Sequence, residues 1–270
     1  MSGRVSAVEP TVKGVLRRSE LDALDPLDAE IMLAFVLKQP RSWLLAHPDE
    51  SVSAASARRF TALAKRRLES VPVAYLVGYK EFYGRKFAVS EDVLCPRPDT
   101  ETLVERALAV LAPGDAVYDV GTGSGCVGIT VTLERPDVSV TLSDVSEAAL
   151  KSARRNARRL GAKVRFVLAD GLPEAVSEAK PDRLVIVSNL PYLDATDTLP
   201  PFEPREALDG GPDGLDVIRR IVGQLQQRKI SPRHLLLEHG ESQGAAVRKL
   251  VGPRAETYPD LAGKDRITGY

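Results

Sequence analysis

The spacing of apolar positions changes character near residue 75. Before that point the pattern is helical. Asp25-Pro26 opens a segment in which Ile31, Leu33, Ala34, Phe35 and Leu37 fall close to helical spacing, and Gln39-Pro40 ends it. A second helix is expected over Ser51 to Glu69, with Ser51 or Ser53 as its cap and Phe60, Leu63, Ala64 and Leu68 along one side. Strand-like alternation is absent, so residues 1–74 read as a small helical domain.

Residues 75–98 differ. Lys80 to Val89 carries aromatic and apolar residues on both sides of Gly84, which predicts a β-hairpin. Cys95-Pro96-Arg97-Pro98 then ends regular structure, because each proline lacks an amide donor and restricts the residue before it. The stretch reads as a connector. Over residues 99–270, short apolar strands (Ala116–Val120, Val138–Ser143, Val164–Ala169, Leu184–Ser188, His234–Glu238) alternate with helical stretches such as Glu147–Leu160 and Leu215–Arg228. Such alternation predicts an α/β fold: a mostly parallel sheet covered by helices on both faces. Ligands of these sheets bind at the carboxyl ends of the strands.

The first strand runs into Asp119-Val120-Gly121-Thr122-Gly123-Ser124-Gly125-Cys126-Val127-Gly128. Glycines there permit a sharp turn and let a ligand touch the backbone, and the following helix start favours negative groups. Gly123 to Gly128 satisfies the dinucleotide pattern G-x-G-x-x-G. The spacing Asp119-x-Gly121-x-Gly123-x-Gly125 equally fits an S-adenosylmethionine loop. At the end of the second strand, Asp144 can accept from both hydroxyls of a ribose, or else cap the next helix. The third strand ends in Asp170-Gly171, where Asp170 can accept from an adenine amino group or simply form a turn.

The fourth strand separates the two cofactors, because it ends in Asn189-Leu190-Pro191-Tyr192. A dehydrogenase has no use for this tetrad. An amino-methyltransferase does: the Asn189 side-chain oxygen and the Leu190 carbonyl can each accept one N–H of an amide or exocyclic amine. Pro191 stiffens the turn and Tyr192 offers a flat wall. Fixing both hydrogens aims the nitrogen at a sulfonium methyl and favours the charge of the transition state.

Bulk properties narrow the classes further. Of 270 residues, 43% are hydrophobic and 27% charged, as in ordinary globular proteins. Lysine plus arginine equals aspartate plus glutamate at 37 each, which argues against a dedicated nucleic-acid binder. Basic clusters at Arg58, Arg59, Lys65, Arg66 and Arg67, and at Arg154, Arg155, Arg158 and Arg159, read as solvated helix faces or as docking sites for an acidic or RNA-bound partner. Cys95 and Cys126 are isolated, and His47, His234 and His239 lack metal-ligand spacing, so no disulfide or metal site is expected. The longest strongly apolar run, Ile31 to Leu37, falls short of the roughly 20 residues a membrane span needs. Met1 to Ser6 lacks the apolar run of a signal peptide, so a soluble cytoplasmic location is expected.

Several longer segments together resemble the peptide chain release factor glutamine methyltransferases, the HemK/PrmC family. They are Pro72 to Gly78 followed by Glu81-Phe82-Tyr83-Gly84, Val93 to Glu101, Glu203 to Gly211 with Asp213-Gly214-Leu215, and Asp260 to Arg266. The resemblance implies a helical N-terminal domain that helps dock a release factor. It also implies a seven-stranded, Rossmann-like class I methyltransferase domain whose last strand is antiparallel. The implied substrate is the glutamine of the Gly-Gly-Gln motif in class I release factors, methylated at N5 by S-adenosyl-L-methionine with S-adenosyl-L-homocysteine as product. By position, Gly121 to Gly125, Asp144 and Asn189 would bind the cofactor, and Asn189 to Tyr192 would hold the glutamine amide. A monomer suffices, and no nucleic-acid substrate is expected. Leu190 stands where the family usually has proline, and Asn-Leu-Pro-Tyr is also similar to the tetrad of ribosomal RNA adenine dimethyltransferases. Adenine N6-methylation of RNA or DNA is therefore the alternative. Gly171 replaces a bulkier residue, Ser231-Pro232-Arg233-His234 a usual Pro-Gly-Gly turn, and His239 an aliphatic one.

Overall fold

A computed structural model describes residues 9–17 and 23–270, and the Met1–Ser6 signal-peptide expectation lies outside them. The chain divides into two compact units, meeting between Gly78 and Tyr79. In the first, the described helices are α1 (Val12–Leu16), α2 (Pro26–Leu37), α3 (Arg41–Ala46), α4 (Ala54–Leu68) and α5 (Val73–Val77). Asp25 caps α2 by accepting from the Leu27 and Asp28 amides, with Pro26 where its missing N–H costs nothing. Helix α4 buries Ala57, Phe60 and Ala64, and Arg67 reaches Asp28 of α2 at 2.6 Å. Ser53 is its cap, accepting from the Ser56 amide. Ser51 pairs instead with Thr11 in an isolated antiparallel bridge. Leu68, expected on the buried side, is 42% exposed because α4 ends there.

The second unit begins with the hairpin β1 (Tyr79–Phe82) and β2 (Arg85–Ala88). Tyr83 and Gly84 both have positive φ (48° and 70°), the two-residue turn that follows the natural twist of a hairpin. Phe82 and Phe87 meet edge to face with centroids 6.0 Å apart, inside the core of this unit. After α6 (Glu101–Val110) come β3 (Ala116–Val120), α7 (Cys126–Glu134), β4 (Ser139–Asp144), α8 (Glu147–Leu160), β5 (Arg165–Leu168) and β6 (Leu184–Asn189). Then follow α9 (Asp216–Gln227), β7 (His234–Glu238), α10 (Gly244–Val251), β8 (Glu256–Pro259) and β9 (Asp265–Gly269).

Seven strands form one sheet in the order β5-β4-β3-β6-β7-β9-β8. Strands β3 to β7 pair in parallel, and β9 is antiparallel to both its neighbours, so the expected fold class holds, including the antiparallel last strand. Strand bounds differ from the apolar runs by a residue or so, because Asp144 and Asn189 still pair within the sheet although they are polar.

Alternation along the strands explains why both faces are covered. Val117, Val185, Val187 and Leu236 join one buried cluster with α6 and α7, whereas Tyr118, Ile186, Leu235 and Leu237 join another with α9 and Val247 of α10. The chain leaves β3 towards β4 on one side and, later, places β6 on the other. That reversal opens a crevice at the carboxyl ends of β3, β4 and β6.

Candidate active site

A cavity of about 410 Å³ occupies this crevice. The loop after β3 forms its floor. Gly121 and Thr122 both donate their amides to the Ser143 carbonyl at 2.9 Å, which binds the loop to the end of β4. Gly121, Gly123 and Gly125 have φ of 71°, 55° and 82°, a backbone that side chains rarely adopt. Asp119, almost wholly buried, accepts from the Thr122 hydroxyl at 2.6 Å and the Gly128 amide at 2.9 Å. Burial pushes its carboxyl up to about 6, although those two donors pull it back. Asp119 therefore holds the loop in shape.

Asp144 stands at the end of β4 with each oxygen anchored. Oδ2 accepts from the Gly123 amide and Oδ1 from the Ser146 amide, both at 2.9 Å. Ser146, not Asp144, caps α8. Burial holds the Asp144 carboxyl above its ordinary range, with the Glu206 carboxylate adding to the effect. Beyond β5, Asp170 is exposed and ion-paired with Arg220 of α9. Gly171 (φ 82°) lies against Gln224, whose Oε1 accepts from the Leu172 amide at 2.7 Å and whose Nε2 donates to the Asp170 carbonyl at 3.2 Å. The left-handed backbone accounts for glycine there, and a side chain at 171 would also have to displace the end of Gln224.

The tetrad closes the far side. Asn189 ends β6, and its Nδ2 donates to the Thr100 hydroxyl at 3.0 Å. Leu190 is buried, and its Cδ2 lies 3.4 Å from where a side chain on Gly121 would begin. Asn189, Leu190 and Pro191 line the cavity together with Asp119, Gly121, Thr122, Gly123, Ser124, Asp144, Asp170 and Gly171. Two expected residues stand outside that lining. Gly125 faces Ile129 and Ala153, where any Cβ would lie 2.7 Å and 3.1 Å from their side chains. Tyr192 sits next to the cavity; its carbonyl accepts from Gln243 and its ring lies near Gly240.

Other residues at this site escape motif reasoning. Thr100 donates a hydrogen bond from its hydroxyl to Glu238 at the end of β7, at 3.1 Å. Glu206, Val145, Val217 and Arg220 also line the cavity. Asn156, fully buried on α8, donates to the Ala88 and Ser124 carbonyls at 2.9 Å and accepts from the Ala88 amide, so it ties the hairpin to the glycine loop. Glu203 accepts from the Cys95 amide and pairs with Arg97, which anchors the chain after the tetrad. Cys126 is buried, and that burial pushes its thiol up to about 12, which disfavours the thiolate. Among the described residues no cluster of His, Cys, Asp and Glu is placed to hold a metal.

Comparison with known proteins identifies the family and the fold. Residues 15–78 match the family of PrmC N-terminal domains and residues 99–200 the methyltransferase small domain. A release factor glutamine methyltransferase of Neisseria gonorrhoeae is 43% identical over 258 residues, which cover 92% of this chain and 94% of that one. Its namesake in Bordetella pertussis is 42% identical over 257 residues, covering 91% and 94%. Among solved structures, the hMettl16 catalytic domain in complex with MAT2A 3'UTR hairpin 1 has a TM-score of 0.55 at 15% identity, covering 88% of this chain and 90% of that one. A methyltransferase of Pyrococcus furiosus has a TM-score of 0.50 at 18% identity, covering 70% and 89%. At such identities the structural likeness concerns the fold alone.

Proposed function

This chain belongs to the release factor glutamine methyltransferase family, and from that premise we propose that it methylates the glutamine of the Gly-Gly-Gln motif in class I peptide chain release factors. The methyl group goes to the side-chain amide nitrogen, N5. S-adenosyl-L-methionine is the donor and S-adenosyl-L-homocysteine the product.

One observation carries this assignment: the Asn189 amide has its NH₂ end engaged by Thr100, which leaves Oδ1 as a hydrogen-bond acceptor at the cavity. Asn189 Oδ1 and the Leu190 carbonyl accept the two N–H bonds of the glutamine amide. An amide nitrogen is a poor nucleophile, so orienting it and stabilising its developing positive charge are what the protein must supply. Pro191 adds no competing donor, and Tyr192 follows it at the edge of the cavity, where its ring would have to turn inward to wall the planar group. The departing proton passes to water.

The cavity suits the donor. Its volume lies within the roughly 300–1,000 Å³ of small-molecule sites. A side chain on Gly123 would meet nothing within 4 Å, so the backbone there is open to a ligand. Asp144 and Glu206 offer carboxylates to a cationic ligand, and Val145 adds apolar wall. Bound there, the donor supplies an electrophilic methyl on a sulfonium. Gly121 to Ser124 would cradle its polar end, with Gly125 shaping the turn behind them, Asp144 would accept from the ribose hydroxyls, and Asp170 and Gly171 would border the adenine. With Arg220 on Oδ1 of Asp170, Oδ2 is the oxygen offered to the adenine amino group.

Adenine N6-methylation would use the same two acceptors, but relatives alike over nine tenths of the chain favour glutamine. Among the described residues no helix is long and apolar enough to cross a membrane. A cytoplasmic location fits the proposed substrate, and a monomer suffices for the reaction.

The test is transfer of labelled methyl to a purified release factor, beside a variant whose Gly-Gly-Gln glutamine is alanine. Label on the first and not the second is expected; label on nucleic acid alone would overturn the assignment. Asn189→Ala should lose turnover by orders of magnitude while cofactor affinity falls much less.

A further inference from the structure

Glu238 is nearly inaccessible, and its Oε2 makes no hydrogen bond to another described protein atom. Burying a carboxyl so incompletely satisfied is costly, and an apolar side chain would fill the space more cheaply. What Glu238 does contact is informative. Its Oε1 accepts from the Thr100 hydroxyl at 3.1 Å, and the Thr100 oxygen accepts from Asn189 Nδ2 at 3.0 Å. Asn189 and Glu238 are also register partners on the adjacent strands β6 and β7.

The chain of bonds has a direction. Once ionised, as at the pH 8 of the test below, Glu238 can only accept, so the Thr100 proton points at it. The Thr100 oxygen is then left to receive a donor, and the only end of the Asn189 amide that donates is NH₂. An amide side chain is otherwise free to turn end for end, with its oxygen and nitrogen nearly equal in shape. We propose that Glu238, acting through Thr100, is the positioning residue that fixes the Asn189 amide with its carbonyl oxygen towards the substrate. This rests on the methyltransferase activity proposed above, in which Asn189 Oδ1 receives the substrate N–H. A turned amide would present NH₂ to the substrate NH₂, donor against donor.

Thr100→Val keeps the shape of the side chain and removes both links, whereas Thr100→Ser keeps the hydroxyl. Glu238→Leu removes the final acceptor. At pH 8, with release factor as substrate, Thr100→Val and Glu238→Leu should each lower kcat on the order of 10²-fold, the usual effect of a misplaced reacting group. The double variant should lose little more than either single one, because the two residues act in series. Cofactor affinity by calorimetry should fall far less than kcat, and retained binding also reports that each variant is folded. Thr100→Ser should recover most of the wild-type kcat. Unchanged kcat in Thr100→Val, additive losses in the double variant, or a serine variant as poor as valine would overturn the proposal. So would a fall in cofactor affinity as large as the fall in kcat. Failure of the wild-type protein to label the release factor would instead refute the activity itself.

Discussion

Replacing Glu238 by glutamine removes one ionisable group from the core while keeping an oxygen that can accept from Thr100. In the fold, burial pushes the Glu238 carboxyl up to about 7 from an ordinary 4.5, against the pull of the Thr100 hydroxyl and of Arg266. Between those two values the folded chain keeps a proton that the unfolded chain has released. Wild-type stability contributed by this group is therefore highest below pH 4.5, falls as pH rises through 7, and is level above. At about 1.4 kcal/mol per unit the loss amounts to about 3 kcal/mol on the alkaline side. Glutamine does not titrate and escapes this loss. Asp119 also titrates high, at about 6, but it is present in both proteins and cancels from their difference. Glutamine brings a penalty of its own, since its extra N–H bonds replace the unpartnered Oε2; that costs about 1–3 kcal/mol at every pH. The sign at any one pH is thus undecisive, and the slope is the observable. Thermal and urea melts of both proteins at pH 5, 6, 7 and 8 should show the variant gaining on the wild type up to about pH 7. Between pH 5 and 7 that gain is about 2 kcal/mol, or roughly 4–8 °C in Tm for a unit of this size. A difference that stays flat across this range, or shrinks as pH rises, would refute the buried-carboxylate account.

Three further outcomes follow from local geometry. Gly128→Ala places a Cβ 2.2 Å from Leu142 Cδ2 and 2.9 Å from Asp119 Oδ2. Overpacking of about 1–3 kcal/mol should outweigh the gain of about 1 kcal/mol in helix propensity, and cofactor affinity should fall with it because Asp119 shapes the loop; a stabilised variant with normal affinity in melts and calorimetry would contradict this. Asp144→Asn can keep only one of the two amides that its oxygens accept, and one ribose acceptor is lost. Its affinity for S-adenosylmethionine should drop about tenfold to a hundredfold by calorimetry, about 1.5–3 kcal/mol for a charged hydrogen bond, and an unchanged value would remove Asp144 from the site. Ser53→Ala should cost about 1 kcal/mol in urea unfolding as a lost helix cap, and Ser51→Ala within about 0.5 kcal/mol; equal losses would mean the cap is misassigned.

Residues at strand ends were legible because the parallel sheet repeats one local rule. A run of apolar residues stops, the chain turns, and the polar residue at the stop faces the crevice; Asp119, Asp144, Asp170 and Asn189 all obey it. Glu238 ends the next strand along and pairs in register with Asn189, but it is buried behind the cavity lining. Its place at the end of the apolar run His234–Glu238 is visible in the sequence, whereas its contact with Thr100 is not. Caps were legible to within two residues only: Ser51 and Ser53 are chemically alike, and a bridge to Thr11 decides between them. Leu68 fits the helical stripe but falls on the last turn, where nothing covers it.

Partners brought together by tertiary folding are a different case. Thr100 lies 89 residues from Asn189 and 138 from Glu238, and Asn156 lies 68 from the backbone of Ala88 that it ties to the glycine loop. No spacing pattern reports such pairs. The consequence is specific for the tetrad. Asn189-Leu190-Pro191-Tyr192 is enough to say that two acceptors are available for an NH₂ group, because the atoms are present in those residue types. It is not enough to say that they face it, because an asparagine amide can turn, and the turn is decided at its other end. That end is held by a threonine from the segment between the hairpin and α6 and by a carboxylate from β7. Whether an Asn-X-Pro-Tyr turn works as a clamp or merely as a turn is thus settled by residues outside it.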